Sequence, residues 1–207
     1  MNDLTVGGIV SQGFAIGLKN LVSLILALIL WLVTLWIPYL NVGTTIALIS
    51  IVIAMSKGSM ISPLEIFDGK YRKYIGEFFL VVAIIQLGTF IGFIFMIIPG
   101  IVIAIAWSMA IYLLIDRELN PMEAITVSNQ ITYGKKWVIF FGLLVLGIIL
   151  VIVTNVLTFI GSLIADSFGS FLGLVGVIIV MPVIFGAYAH IYSTLVQQLD
   201  QSEQPVA

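Results

Sequence analysis

The sequence predicts an all-α, polytopic membrane helix bundle: about six transmembrane helices in three hairpins, with short interfacial helices on the cytoplasmic side. Three observations predict it. Of 207 residues, 61% are hydrophobic and 9% charged, whereas an ordinary soluble domain is roughly 25% charged. The apolar residues fall into six runs that reach, or nearly reach, the length needed to cross about 30 Å of hydrocarbon at about 1.5 Å per residue. All eight Lys and Arg residues lie before the first run or in alternate connections, the pattern that marks cytoplasmic loops.

The first run covers residues 21–37 and follows Lys19. It exceeds the roughly 7–15 apolar residues of a cleavable signal, so it is read as a retained span. A turn at Pro38-Tyr39-Leu40-Asn41 leads to the second run, residues 42–56. The polar stretch 57–74 then holds Lys57, Lys70, Arg72 and Lys73. The third run, 77–98, is expected to end at Pro99-Gly100, a pair that removes an N–H and relaxes φ. The fourth, 101–115, is short; it crosses if extended through Leu119, or it folds back as a re-entrant hairpin. Residues 116–136 are polar or amphipathic and carry Arg117, Lys135 and Lys136. The fifth run is 137–160, and the sixth, 171–195, contains Pro182 as an expected kink. A single transmembrane domain over 1–199 and a disordered acidic tail over 200–207 complete the division.

Basic residues therefore precede the first run and occupy two of the five connections while avoiding the other three, which is expected to place both termini of a multi-pass membrane protein in the cytoplasm. A re-entrant fourth segment would put Lys135 and Lys136 outside, so the charge pattern favours six crossings. Trp36 and Tyr39 suit an outer interface, and Tyr71, Tyr74, Tyr133 and Trp137 an inner one. Trp31 and Trp107 fall inside spans and read as packing residues.

Two cytoplasmic connections begin alike. Ser62-Pro63-Leu64-Glu65 and Asn120-Pro121-Met122-Glu123 each place a cap residue, a Pro suited to the first helical position and a Glu that can complete a capping box. Ser11, Gly17 and Lys19 repeat the spacing of Ser128, Gly134 and Lys136. This leaves two readings, coincidence among common residues or a surface-helix-plus-hairpin unit used three times. The imperfect apolar stripe of residues 122–133 suits either the headgroup region or the underside of the bundle.

The chain resembles uncharacterised bacterial six-span integral membrane proteins related to the membrane domain that accompanies some glycerophosphodiester phosphodiesterases. The residues that carry the likeness are Pro99-Gly100-Ile101, Trp107, Asp116, Glu123-Ala124, Ser128, Gly134 and Trp137. The resemblance implies a six-helix inner-membrane fold. The soluble phosphodiesterase domain has no counterpart here, so its activity is not implied.

Chemistry is sparse. There are no cysteines, which removes disulfides, thiolate catalysis and Cys-ligated metal. A net charge of -2 provides no general attraction to nucleic acid. No Walker loop, dinucleotide fingerprint, zinc motif or nucleophile elbow is present, so neither catalytic residues nor a metal or cofactor is expected. Lys70, Arg72, Lys73, Lys135 and Lys136 are candidates for lipid-headgroup contact, at about 1 kcal/mol each near an anionic surface; setting topology is their competing role. Gln86, Asn155 and His190 are the polar residues within spans. Interhelical hydrogen bonds, worth about 0.6–2 kcal/mol, compete there with lining a path. Intramembrane charges usually mark proton or ion routes, and Glu77 and Asp166 lie only at span edges. Gly88-x-x-x-Gly92 and Gly169-x-x-x-Gly173 let helices approach closely, with packing inside one protomer expected. The functional expectation is a non-enzymatic protein that binds membrane lipids or a membrane-protein partner, as scaffold or complex subunit. The alternative is a small permease for a neutral or amphipathic solute.

Overall fold

In hydrocarbon no water is available to backbone N–H and C=O groups, so a spanning segment must satisfy them internally. A computed structural model, which describes residues 3–59 and 62–203, meets that demand with helices throughout. Among the described residues these are α1 (Val6–Lys19), α2 (Leu21–Thr34), α3 (Pro38–Ser56), α4 (Ile75–Phe95), α5 (Ile97–Ala106), α6 (Ala110–Asp116), α7 (Pro121–Thr132), α8 (Lys136–Ser162) and α9 (Asp166–Glu203). Two short 3-10 segments, Pro63–Phe67 and Gly69–Tyr74, lead into α4. By length and composition five stretches can cross a bilayer: α3, α4 with its lead-in, α5 with α6, α8 and α9. A sixth candidate is α1 with α2, a pair bent by 80°.

Helices α4 and α5 form one hairpin. Its break falls at Met96, whose backbone is extended, and not at Pro99-Gly100 as the sequence led us to expect. Pro99 instead occupies the first turn of α5, where a helix has no intrahelical use for the missing N–H. Gly100 serves close approach: a Cβ there would lie 2.5 Å from the Phe93 ring, and one on Gly92 would lie 2.9 Å from the Gly100 Cα. Gly88 receives the ring of Trp107, which confirms the packing role read for that tryptophan.

The second hairpin joins α8 and α9. A Cβ on Gly161 would fall 2.7 Å from the Gly169 Cα, and Gly173 abuts Thr158. Both small-residue motifs are thus used within the chain, as expected. Their loss of Cβ brings the paired helices together without an aqueous hydrophobic drive. The outward faces of both hairpins remain apolar and exposed, with Leu87, Phe90 and Ile94 on α4 and Ile148, Ile152 and Phe159 on α8.

Helix α1 runs antiparallel along the later part of α9. Gly8 lies near His190, Gly13 against Ala187 and Val183, and Gly17 against the backbone of Pro182 and Val183, with Gly186 of α9 facing Gly13 and Gly17 in return. The chain continues as helix through Pro182. The expected tail begins differently from the sequence reading: α9 extends to Glu203, and Asp200 accepts a hydrogen bond from Arg117. That partner lies outside the apolar run, so hydropathy alone did not reveal it. Residues 204–207 of the expected tail lie outside the described residues.

The two capped connections diverge. Asn120 accepts from the Glu123 N–H at 2.9 Å and donates its amide to the Glu123 carboxylate at 3.1 Å, and a 12-residue α-helix follows. Ser62 caps only a five-residue 3-10 turn. Asp68 then caps a second turn through the Lys70 N–H, so the segment restarts before an α-helix can propagate.

The α1–α9 contact sets a stability prediction. Gly17→Leu would drive side-chain atoms into the Pro182 carbonyl, because even a Cβ would sit 2.5 Å from it. We expect a loss of about 1–3 kcal/mol or more, read as a lower unfolding midpoint in a detergent denaturation series. Gly7→Leu, which meets open space, should leave that midpoint nearly unchanged.

Candidate functional site

Several charged helix ends converge on one face, and consecutive residues at the end of α6 organise it. Asp116, the last residue of α6, forms an ion pair with Lys57 at the end of α3 and accepts a 2.8 Å hydrogen bond from the Tyr192 hydroxyl of α9. Its side chain is only 7% exposed, so both partners matter for keeping the carboxylate satisfied. Arg117 pairs with Asp200 near the end of α9. Glu118 accepts from the Lys73 ammonium at 2.7 Å and the Tyr74 hydroxyl at 2.9 Å. Three neighbouring residues therefore tie down three separate parts of the chain. Glu118 does so in the left-handed region, at φ 51, a conformation uncommon for a residue with a Cβ.

The Glu118 carboxyl is held below its ordinary value, first by the hydrogen bond from Lys73 and then by that from Tyr74. A lowered carboxyl contributes stability above its unfolded pKa and loses it as pH falls through the lowered value. The Arg117 guanidinium is pushed up by its hydrogen bond to Asp200, so it stays charged throughout the working range.

The basic candidates are distributed around this face. Lys70, Arg72 and Lys73 lie on the second 3-10 segment, and Lys135 and Lys136 at the start of α8. Lys70 pairs with Asp68 at 3.0 Å, Lys135 donates to Gln198 at 2.7 Å with Asp3 at 3.9 Å, and Lys136 donates to Asn129 at 2.9 Å. An ammonium already bonded within the chain offers less to a headgroup than a free one. Arg72 differs, since its guanidinium lies over the ring of Tyr39, 6.0 Å from the centroid, with its stem against Gly43. Tyr39, expected at an outer interface, has its ring beside the basic segment.

The polar residues within spans do not meet. Gln86 is exposed on α4, and its side-chain amide hydrogen-bonds no other described residue. Asn155 is exposed on α8 and donates to Val151 of its own helix at 2.7 Å. The expected interhelical bonds are absent from both, because each amide faces away from the hairpin partner. His190 borders a polar cleft of about 290 Å³ with Gln12, Ser193, Thr194, Gln197, Gln198 and Gln201. Its ring makes no hydrogen bond to a described residue, so the bond expected for it is not formed within the bundle. Among the described residues no cluster of three metal-ligating side chains occurs.

The sequence reading did not single out the Asp116–Arg117–Glu118 tie. Its only local signal is three successive charges of alternating sign at the end of an apolar run, and their partners are remote in sequence. Comparison with family models, curated proteins and solved structures gives no match.

Single replacements should rank by how much of the Asp116 contact each removes. Asp116→Asn removes a charged acceptor from two donors and is expected to cost about 1.5–3 kcal/mol. Tyr192→Phe should cost about 1 kcal/mol, and Lys57→Met no more than about 1 kcal/mol, because that lysine is solvent-screened. Denaturation midpoints of the three variants in detergent check the order.

Proposed function

We propose that this protein acts without catalysis in a bacterial inner membrane, as a scaffold or complex subunit that binds partner transmembrane helices. The observation that carries this reading is the position of Gln86 and Asn155. Both amides lie on outward faces of the hairpins, among exposed apolar side chains. A polar amide left in hydrocarbon costs roughly 1–3 kcal/mol by protein mutational measures, and a neighbouring helix can supply the missing partner. The extent of exposed apolar surface on α4 and α8 gives such a helix room to pack.

Lipid binding is the companion role, with Arg72 the strongest headgroup candidate because no carboxylate pairs with it among the described residues. A permease is less well supported. It would need the intramembrane amides to line an enclosed route, and their outward positions do not supply one within a protomer.

Photo-crosslinking tests the proposal. Phe90 and Phe159 are exposed one helical turn beyond Gln86 and Asn155 and tolerate a photoreactive phenylalanine analogue in their place. Irradiated native membranes should yield protein adducts of discrete mass. Gln86→Leu or Asn155→Leu should weaken the matching adduct by about 3–20-fold, equivalent to roughly 0.6–1.7 kcal/mol. Lipid adducts alone, from both positions, would contradict it.

A further inference from the structure

The contacts of α3 place both of its ends on the charged face. Lys57, just past its last residue, pairs with Asp116. At its other end Tyr39 and Gly43 meet Arg72, whose neighbour Lys73 reaches Glu118, two residues from Asp116. A helix of 19 residues is about 28 Å long, enough to traverse the hydrocarbon, yet neither end leaves this face.

The segment after α3 explains how. Ser62 and Pro63 share a small cavity with Asn20, Leu24, Ile51 and Met55, close to the end of α3. Ten residues later Arg72 lies against Gly43, near its start. The two 3-10 turns thus run back along α3. They bury Ile66 and Tyr71 beneath them and leave Asp68, Lys70, Arg72 and Lys73 exposed. A segment exposing that many charges cannot lie in hydrocarbon, so α3 beneath it does not pass through the bilayer.

Helix α2 supplies an independent observation. Because α1 runs antiparallel along α9 and α2 turns from α1 by 80°, α2 lies across the direction of α9. One stripe of α2 packs inward through Leu24, Ala27 and Leu28. The opposite stripe, Val22, Leu26, Ile29 and Val33, is exposed and leads to Trp36, which is 90% exposed. Those positions follow the period of a single helical face.

We propose that α2 and α3 form a monotopic layer seated in one leaflet, with the exposed stripe of α2 against its acyl chains and the charged 3-10 segment facing water. The bilayer is then crossed by α4, α5 with α6, α8 and α9. The occupant of the apolar stripe is lipid of the charged-face leaflet, because the basic segment that covers α3 fixes which side of the layer is wet. This seating is independent of the partner-binding role of α4 and α8.

Cysteine labelling decides it, since the chain contains no cysteine. Tyr39→Cys is compared with Ser59→Cys, on the charged face, and Ala165→Cys, in the turn between α8 and α9, using a membrane-impermeant maleimide on vesicles of both orientations. Tyr39→Cys is expected to label in the same orientation as Ser59→Cys. Labelling together with Ala165→Cys overturns the proposal. Should position 39 be shielded in both orientations, a bis-maleimide link between Tyr39→Cys and Arg72→Cys in native membranes supports it. No such link, where Lys73→Cys and Glu118→Cys do join, overturns it.

Discussion

The rest of this structure depends on the exclusion of charge from hydrocarbon. Moving an unpaired ion into a low-dielectric medium is far more costly than any single packing contact returns. The chain answers by gathering ionic contacts at one set of helix ends. Asp116, Arg117 and Glu118 hold Lys57 and Tyr192, Asp200, and Lys73 with Tyr74. Individually the exposed pairs among these contribute little. Their consequence is geometric: they fix which helix ends are level, and so how far each hairpin reaches into the membrane.

Away from that face the physics changes. The α4–α5 and α8–α9 hairpins rely on absent side chains, with Gly92 opposite Gly100 and Gly161 opposite Gly169. Lipid tails are as apolar as leucine, so close van der Waals packing replaces hydrophobic drive. The same device joins α1 to α9 through Gly13, Gly17 and Gly186. The hairpins are therefore tight along their seams and open on their outer faces, which is the form a partner helix or ordered lipid could use.

What was legible in the sequence follows from the range of each interaction. The Asn120 cap was readable because donor, acceptor and helix start lie within four residues. The runs that became α4, α8 and α9 were readable because hydropathy is a local sum. Gly13 and Gly17 were not recognised as a packing seam, since their meaning depends on Pro182 and Gly186. The break at Met96 was assigned to Pro99-Gly100 because a proline's effect depends on whether it falls before or inside the first turn. The basic residues of the two connections gather at one end, whereas Lys19 ends α1 near Pro182, well before the charged end of α9; most of their partners are too distant in sequence for periodicity to reveal. Gln86 and Asn155 were found by polarity alone, whereas the direction each faces required the fold.

The first two apolar runs show the limit most clearly. Composition treats α2 and α3 as it treats α4 and α5. The contact of Arg72 with Tyr39 and Gly43 and the 80° turn into α2 are what the proposed seating rests on, and neither is local in sequence. The fourth run is the candidate for re-entry by length; with α6 it reaches 20 residues, long and apolar enough to cross, and it returns to the charged face at Asp116, beside the start of α4 at Tyr74.

The central claim, that charge holds the ends of α3, α6 and α9 and the start of α4 on one face, is most directly tested by distances within a bilayer. Spin labels at Tyr39, Glu118 and Ile164, taken in pairs in reconstituted protein, report whether the start of α3 is level with the charged face. Position 39 is expected to lie closer to 118 than to 164. A label at 39 closer to 164 would contradict it.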